Sequence, residues 1–179
     1  MKFSIIAAIS AVASAAPILR RDVGTLTFQD AAASDKKINL VTADASIPVG
    51  LNNGVLTAEQ EPITVDFLPA DSQFMKYTNS DDTKYGHIVN TADQQALTVD
   101  SPGAAQGQTI YLSESSISED SSQMLQYWEL DVASQEVKFL GAPQGANFGS
   151  GPFTPESQNE GNGLEIALNT DTAAKFVLQ

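Results

Sequence analysis

The sequence predicts an all-β fold: a single domain of about eleven or twelve short strands, arranged as a β-trefoil-like barrel or a β-sandwich. Three observations predict it. Short runs with period-two alternation and β-branched or aromatic content recur at roughly 8–12-residue spacing. Turn signals separate them, among them Asn53-Gly54, Asn79-Ser80-Asp81-Asp82, Ser101-Pro102-Gly103 and Gly149-Ser150-Gly151-Pro152, which supply positive or fixed φ where the chain reverses. Beyond the N-terminal leader, no apolar pattern has both the period and the length of a helix.

Taken in order, Thr25–Gln29, Lys37–Thr42 and Ile63–Leu68 alternate apolar and polar positions. Gln73–Thr78, Tyr85–Asn90, Ala96–Asp100 and Thr109–Ser113 follow on their aromatic and β-branched content. In Gln126–Val132, alternation puts Trp128, Leu130 and Val132 on one face, read as core, and Tyr127, Glu129 and Asp131 on the other. Glu136–Leu140, Gly163–Leu168 and Ala174–Leu178 complete the set. The polar stretch Ser113–Ser122 and the Gly- and Pro-rich stretch Gly141–Asn162 read as surface loops. An internal repeat is faint: Ala70-Asp71-Ser72-Gln73 and Ala92-Asp93-Gln94-Gln95 are alike over only four residues.

The N-terminus reads as an address. Met1-Lys2 is a positive start, Phe3 to Val12 is small and apolar, and Ala13-Ser14-Ala15 places small residues at the cleavage positions. The apolar run is far short of the ~20 residues a spanning helix needs. Residues 1–15 are therefore expected to be a secretory signal peptide cut after Ala15. The dibasic pair Arg20-Arg21 marks a processing site, making 16–21 a short propeptide and 22–179 the mature β-domain. Lys175–Gln179 is too short and too charged for a GPI signal, so no anchor or membrane span is expected. Asn79, Asn90 and Asn169 are each followed directly by Ser or Thr, which is not the N-glycosylation spacing. The expected location is outside the cell, free or in the wall.

Composition excludes chemistry. The 179 residues carry a net charge of −13, one His and no Cys. Disulfides, thiolate nucleophiles and Cys-ligated metals are thereby excluded, and His87 alone would have to serve any histidine-dependent site. A mature chain from Asp22 keeps six basic residues against all 22 acidic ones, net −16. It presents no basic stripe, so nucleic acid is not an expected partner. Such a charge suits solubility outside the cell.

Individual constellations point the same way. His87 lies in Lys84–Val89 with no Gly-x-Ser-x-Gly elbow anywhere, and reads as structural. Two carboxylates among 22 could make a glycosidase pair, a geometry that spacing cannot show. Asp81-Asp82 and the Ser113–Ser122 run lack the EF-hand spacing for Ca²⁺. No catalytic, cofactor-binding or metal residue is assigned, and no cofactor is expected. With Trp128 assigned to the core, a sugar-binding reading rests on Tyr77, Tyr85, Tyr111 or Tyr127, of which Tyr127 and Tyr111 are the candidate ligand contacts.

The stretch QQALTVDSPGAAQGQTIYL (Gln94–Leu112), followed by YWELDVASQEVKFLGAPQGANF (Tyr127–Phe148), resembles the PhiA-type fungal cell-wall proteins. The matching positions are Gln94-Gln95, Val99-Asp100, Gly103 and Gln106-Gly107, then Trp128, Leu130-Asp131, Val137, Phe139 and Gly141. Ile47–Leu51 and Glu160-Gly161 with Leu164–Ala167 are further points of similarity. The resemblance implies a secreted, wall-associated protein of filamentous fungi, tied to hyphal and conidial (phialide) development and sometimes met as an antigen. Its implied partners are wall polysaccharide or wall proteins, and it implies no active site. The family carries several Cys and this chain carries none, so its core must hold the fold without staples.

Overall fold

The computed structural model describes residues 23–102, 108–148, 151–160, 163–169 and 172–179. The processing positions Ala15, Arg20 and Arg21 lie outside the described residues.

Among the described residues twelve strands follow one another in three sets of four. The first set is β1 (Ala33–Val41), β2 (Ser46–Asn52), β3 (Val55–Ala58) and β4 (Thr64–Pro69). The second is β5 (Thr83–Asn90), β6 (Gln95–Val99), β7 (Gln108–Glu114) and β8 (Trp128–Asp131). The third is β9 (Glu136–Phe139), β10 (Thr154–Glu160), β11 (Gly163–Asn169) and β12 (Lys175–Leu178). The first and last strand of each set close an antiparallel ring in the order β1-β4-β5-β8-β9-β12 and back to β1. The middle two form hairpins, β2–β3, β6–β7 and β10–β11. These hairpins meet one another through β3–β7, β7–β11 and β11–β3 and cap one end of the ring. This is the connectivity of a β-trefoil, so the barrel rather than the sandwich is realised. Closure leaves the six barrel strands without free edges.

Alternation fills the barrel. Ile38 and Leu40, Val65 and Phe67, Trp128 and Leu130, Val137 and Phe139, and Phe176 and Leu178 are buried pairs two residues apart on five of the six barrel strands, and β5 adds Ile88. On the neighbouring outward positions, Glu129, Lys138, Glu136 and Lys175 form a chain of ion pairs across β8, β9 and β12. Trp128 anchors barrel to cap, its indole N–H donating to the Leu97 carbonyl at 3.2 Å.

Three expectations need correction. Gln73–Thr78 is not a strand: its first residues form a turn that the Lys76 N–H closes on the Ser72 carbonyl at 2.9 Å, Lys76 has φ 64°, and the apolar residues there cover the barrel's flank. Thr25–Gln29 pairs only through the single bridges Thr25↔Ser118 and Phe28↔Ala70. The stretch Gly141–Asn162 is not all loop, for β10 begins at Thr154 and Ala142 and Phe153 are buried. The hairpin β2–β3 was hidden because Pro48 and Gly50 interrupt the first strand, although Asn53 (φ 51°) and Gly54 (φ 83°) make the two-residue turn their sequence signals. Ala70–Gln73 follows β4 while Ala92–Gln95 lies at the β5–β6 turn, so that similarity does not mark equivalent places in the three sets. Among the described residues no helix is long and apolar enough to cross a membrane.

Candidate functional site

The extra length of the chain gathers over the outer face of β5. The N-terminal segment is laced to the segment after β7 by Leu26 N–H to the Ile117 carbonyl (2.7 Å) and Glu119 N–H to the Gly24 carbonyl (2.9 Å). Further along, Gln29 N–H reaches the Pro69 carbonyl at 2.8 Å. The segment after β9 joins through Gln144 N–H to the Met75 carbonyl and Tyr77 Oη–H to the Ala142 carbonyl. Beneath them a second apolar cluster, Met75, Tyr127 and Leu140, packs with Phe74, Tyr77, Tyr85 and Met124.

His87 lies under this layer, with no exposed surface. Its ring meets Phe28 at 4.9 Å and Tyr127 edge-on at 6.1 Å. Nε2 is 2.8 Å from Gln123 Oε1, and Nδ1 is 2.9 Å from Ser115 Oγ. The Gln123 amide nitrogen donates to the carbonyls of Ser116 (3.0 Å) and Ser118 (2.8 Å), which fixes its oxygen as an acceptor. Nε2 must therefore carry the proton, leaving Nδ1 to accept from the Ser115 hydroxyl. Burial pushes the imidazole down to about 4, against a smaller upward pull from Gln123.

Serine, histidine and a side-chain carbonyl in hydrogen-bonded sequence is the order used in nucleophilic catalysis. Its other parts do not fit here. The third member is a neutral amide, which gives an imidazolium no counter-charge. Two nearby N–H groups that could hold an oxyanion are occupied, Ser116 N–H by Gln126 Oε1 and Ser118 N–H by Ser116 Oγ. The arrangement holds the Ser115–Gln126 segment onto the barrel.

Glu119 does the same for the turn after β4. Its Oε2 accepts from Ser72 Oγ (2.7 Å) and Phe74 N–H (3.1 Å), and its Oε1 from Gln73 N–H (3.2 Å). Asp71 accepts from Gln29 Nε2 (2.9 Å) and Asn79 Nδ2 (2.7 Å). Asp120 caps the short 3-10 helix Ser121–Leu125, and the Ser122 hydroxyl and N–H hold its carboxyl below the ordinary range.

Depressions open between these pieces. One depression, about 680 Å³, is lined by Val23, Gly24, Thr25, Thr27, Gln29, Asp71, Gln73, Phe74, Glu119 and Asp120. A second, about 540 Å³, shares Gln29, Asp71 and Gln73 and continues over Lys76, Tyr77, Asn79, Asp81 and Lys84. Among the described residues no group of three or more His, Asp and Glu is placed to hold a metal.

The two candidate ligand tyrosines line neither depression. Tyr127 is fully buried, its hydroxyl donating to the Ala70 carbonyl and accepting from Ser72 N–H, and burial raises its phenol pKa. It is a core residue and not a surface contact. Alternation assigned it correctly to the face opposite Trp128, but that face is roofed by loops. Tyr111 is half-buried in the cap, opposite Val55 and Thr98. Of the other aromatics weighed for sugar binding, Tyr77 borders the second depression and stacks on Tyr85 at 4.9 Å. Glu119 went unread because the Ser113–Ser122 run looks like a solvated loop, and Gln123, just beyond it, and Gln126, read only as the start of a strand, are both buried.

Comparison with protein-family models, with curated proteins and with solved structures finds no match to this chain.

Proposed function

We propose that the chain is a secreted, non-enzymatic, fungal cell-wall-associated structural or interaction protein acting in hyphal or conidial development. The observation that carries the non-catalytic part is the commitment of its reactive side chains to architecture: His87 is sealed beneath Phe28 and Tyr127, and Glu119 is spent on three donors of one turn. The leader at residues 1–15 and the PhiA-like segments Gln94–Leu112 and Tyr127–Phe148 support the location. Fractionation tests it: the protein is released from isolated hyphal walls by mild detergent or salt, and recovery solely from culture fluid overturns the wall assignment.

One observation favours a second reading, a glycoside hydrolase using two carboxylates, because Asp71 and Glu119 line the same depression. Each accepts hydrogen bonds from neighbouring side chains or backbone N–H groups, which suits a structural anchor better than a proton-donating acid. Appearance of new reducing ends from wall glycans on incubation would establish this reading in place of the first.

A further inference from the structure

We propose that the depression at Val23 is the docking site of the segment that precedes it in the chain, Ile18–Arg21, with Arg20 and Arg21 meeting the carboxylates of Asp71, Glu119 and Asp120. Cutting after Arg21 then uncovers an acidic site that the uncut chain keeps covered.

The argument is one of charge and of reach. The lining of this depression holds three carboxylates and, among the described residues, no Lys or Arg; Lys76 and Lys84 line the second depression instead. Such a lining favours a cationic occupant. The chain's only two arginines stand side by side at 20 and 21. Val23 is itself part of the lining, and an extended chain spans at most about 3.6 Å per residue, so the Cα atoms of Arg21 and Arg20 lie within about 7 and 11 Å of Val23 Cα. The tether sets the effective concentration of the two guanidinium groups on the order of millimolar, an advantage that no free cation has.

The carboxylates are fixed in place and still have capacity. Both Ser122 bonds to Asp120 fall on Oδ1, and Asp71 takes Gln29 on one oxygen and Asn79 on the other, which leaves lone pairs on each for a guanidinium N–H. Glu119 is held by the turn at Ser72–Phe74, so little order is lost when an arginine meets these acceptors. The same lining has an apolar part, Phe74 and the 46% exposed Val23. Ile18 and Leu19, just ahead of the arginines, supply the apolar side chains to lie against it.

The test is self-competition. A fluorescent peptide of sequence Ala-Pro-Ile-Leu-Arg-Arg, with both ends blocked, is titrated by anisotropy with the full chain and with the full chain carrying Arg20→Gln and Arg21→Gln. The double variant is expected to bind the peptide, and the parent to bind it about tenfold more weakly because its own arginines hold the site. Raising the salt should weaken binding to the variant. Adding Asp120→Asn to the double variant should weaken the peptide severalfold; Asn caps a helix as Asp does, so the Ser121–Leu125 turn is kept. Asp44→Asn, exposed in the β1–β2 turn and outside the lining, removes the same charge and should change little. No binding to the double variant, equal binding to variant and parent, insensitivity to salt, or an equal effect of Asp120→Asn and Asp44→Asn overturns the proposal. Self-competition that fades as the parent is diluted makes the arm of a second copy the occupant and overturns docking within one chain.

Discussion

His87 and Gln123 define each other's chemistry: the imidazole donates through Nε2 to Gln123 Oε1 at 2.8 Å, and only because the Gln123 amide nitrogen is taken by two backbone carbonyls. The neutral tautomer fills every hydrogen-bonding position of the ring, and a second proton would have to sit on Nδ1, where the Ser115 hydroxyl now donates.

Stability should therefore fall as the pH drops below about 6.5. The folded imidazole is pushed down to about 4 from 6.5, so between those values the unfolded chain binds a proton that the folded chain does not. The contribution is complete above about pH 6.5 and is lost as pH falls toward 4, amounting to about 3 kcal/mol. Asp120 and Asp131, held low chiefly by bonds from Ser122 and Ser134, act only at lower pH. Urea unfolding followed by Trp128 fluorescence at pH 7, 6 and 5 checks this, the chain's one Trp being fully buried. His87→Gln is expected to be less stable at pH 7 yet to lose much less between pH 7 and 5. A parent-like slope in that variant removes His87 as the cause.

How far such detail was legible depends on the layer. The barrel reads directly from pairs such as Val137 and Phe139 or Phe176 and Leu178, because one buried and one wet face impose period two. The second layer does not. Residues after β7 look like a solvated acidic loop, and what holds Gln123 and Gln126 in is contact with β5 and β6, 36 and 28 positions away in the bonds His87–Gln123 and Thr98–Gln126. β10 stayed hidden for a related reason: Pro155 is the one apolar residue of Thr154–Glu160, so no alternation shows, and its register is set by β11.

Ser115 should behave as an ordinary hydroxyl. Its Oγ lies 2.9 Å from Nδ1 of a base that is buried and weak, and the Ser116 and Ser118 N–H groups beside it are already bonded. A fluorophosphonate probe at pH 7 should leave the chain unlabelled, and mass spectrometry of the intact protein reads the result. Labelling at Ser115 would show a working nucleophile and overturn the non-enzymatic reading. Ser115→Ala should instead cost stability, about 1–2 kcal/mol, by stripping Nδ1 of its donor.

Glu119→Ala should loosen one turn rather than the barrel. The carboxylate is the acceptor for Ser72 Oγ, Gln73 N–H and Phe74 N–H, so its loss leaves those donors to water. A cost of about 1–3 kcal/mol is expected. Hydrogen exchange at Gln73 and Phe74 should quicken while Ile38 and Phe67 keep their protection. Uniform acceleration across both groups would mean that Glu119 supports the whole fold.

Two glycines should answer very differently to the same added methyl group. A Cβ on Gly86 would stand 2.0 Å from the Leu68 carbonyl oxygen and 2.8 Å from Pro69 Cα, both main-chain atoms of β4. Neither can swing aside as a side chain would, and β4 is fixed on its other edge by β1. A Cβ on Gly24 meets only Glu119 Cβ and Cγ at 3.5 Å, ordinary van der Waals contact. Overpacking a core commonly costs about 1–3 kcal/mol, and an obstruction made of backbone inside a closed ring belongs at or above the top of that range. Gly86→Ala is thus expected to lower the urea midpoint sharply or to prevent folding, with Gly24→Ala within about 0.5 kcal/mol of the parent. Equal midpoints for the two variants would show that β4 and β5 can part enough to admit a methyl, and the ring would then be softer at this seam than its pairing from Val65–Asn90 to Pro69–Gly86 implies.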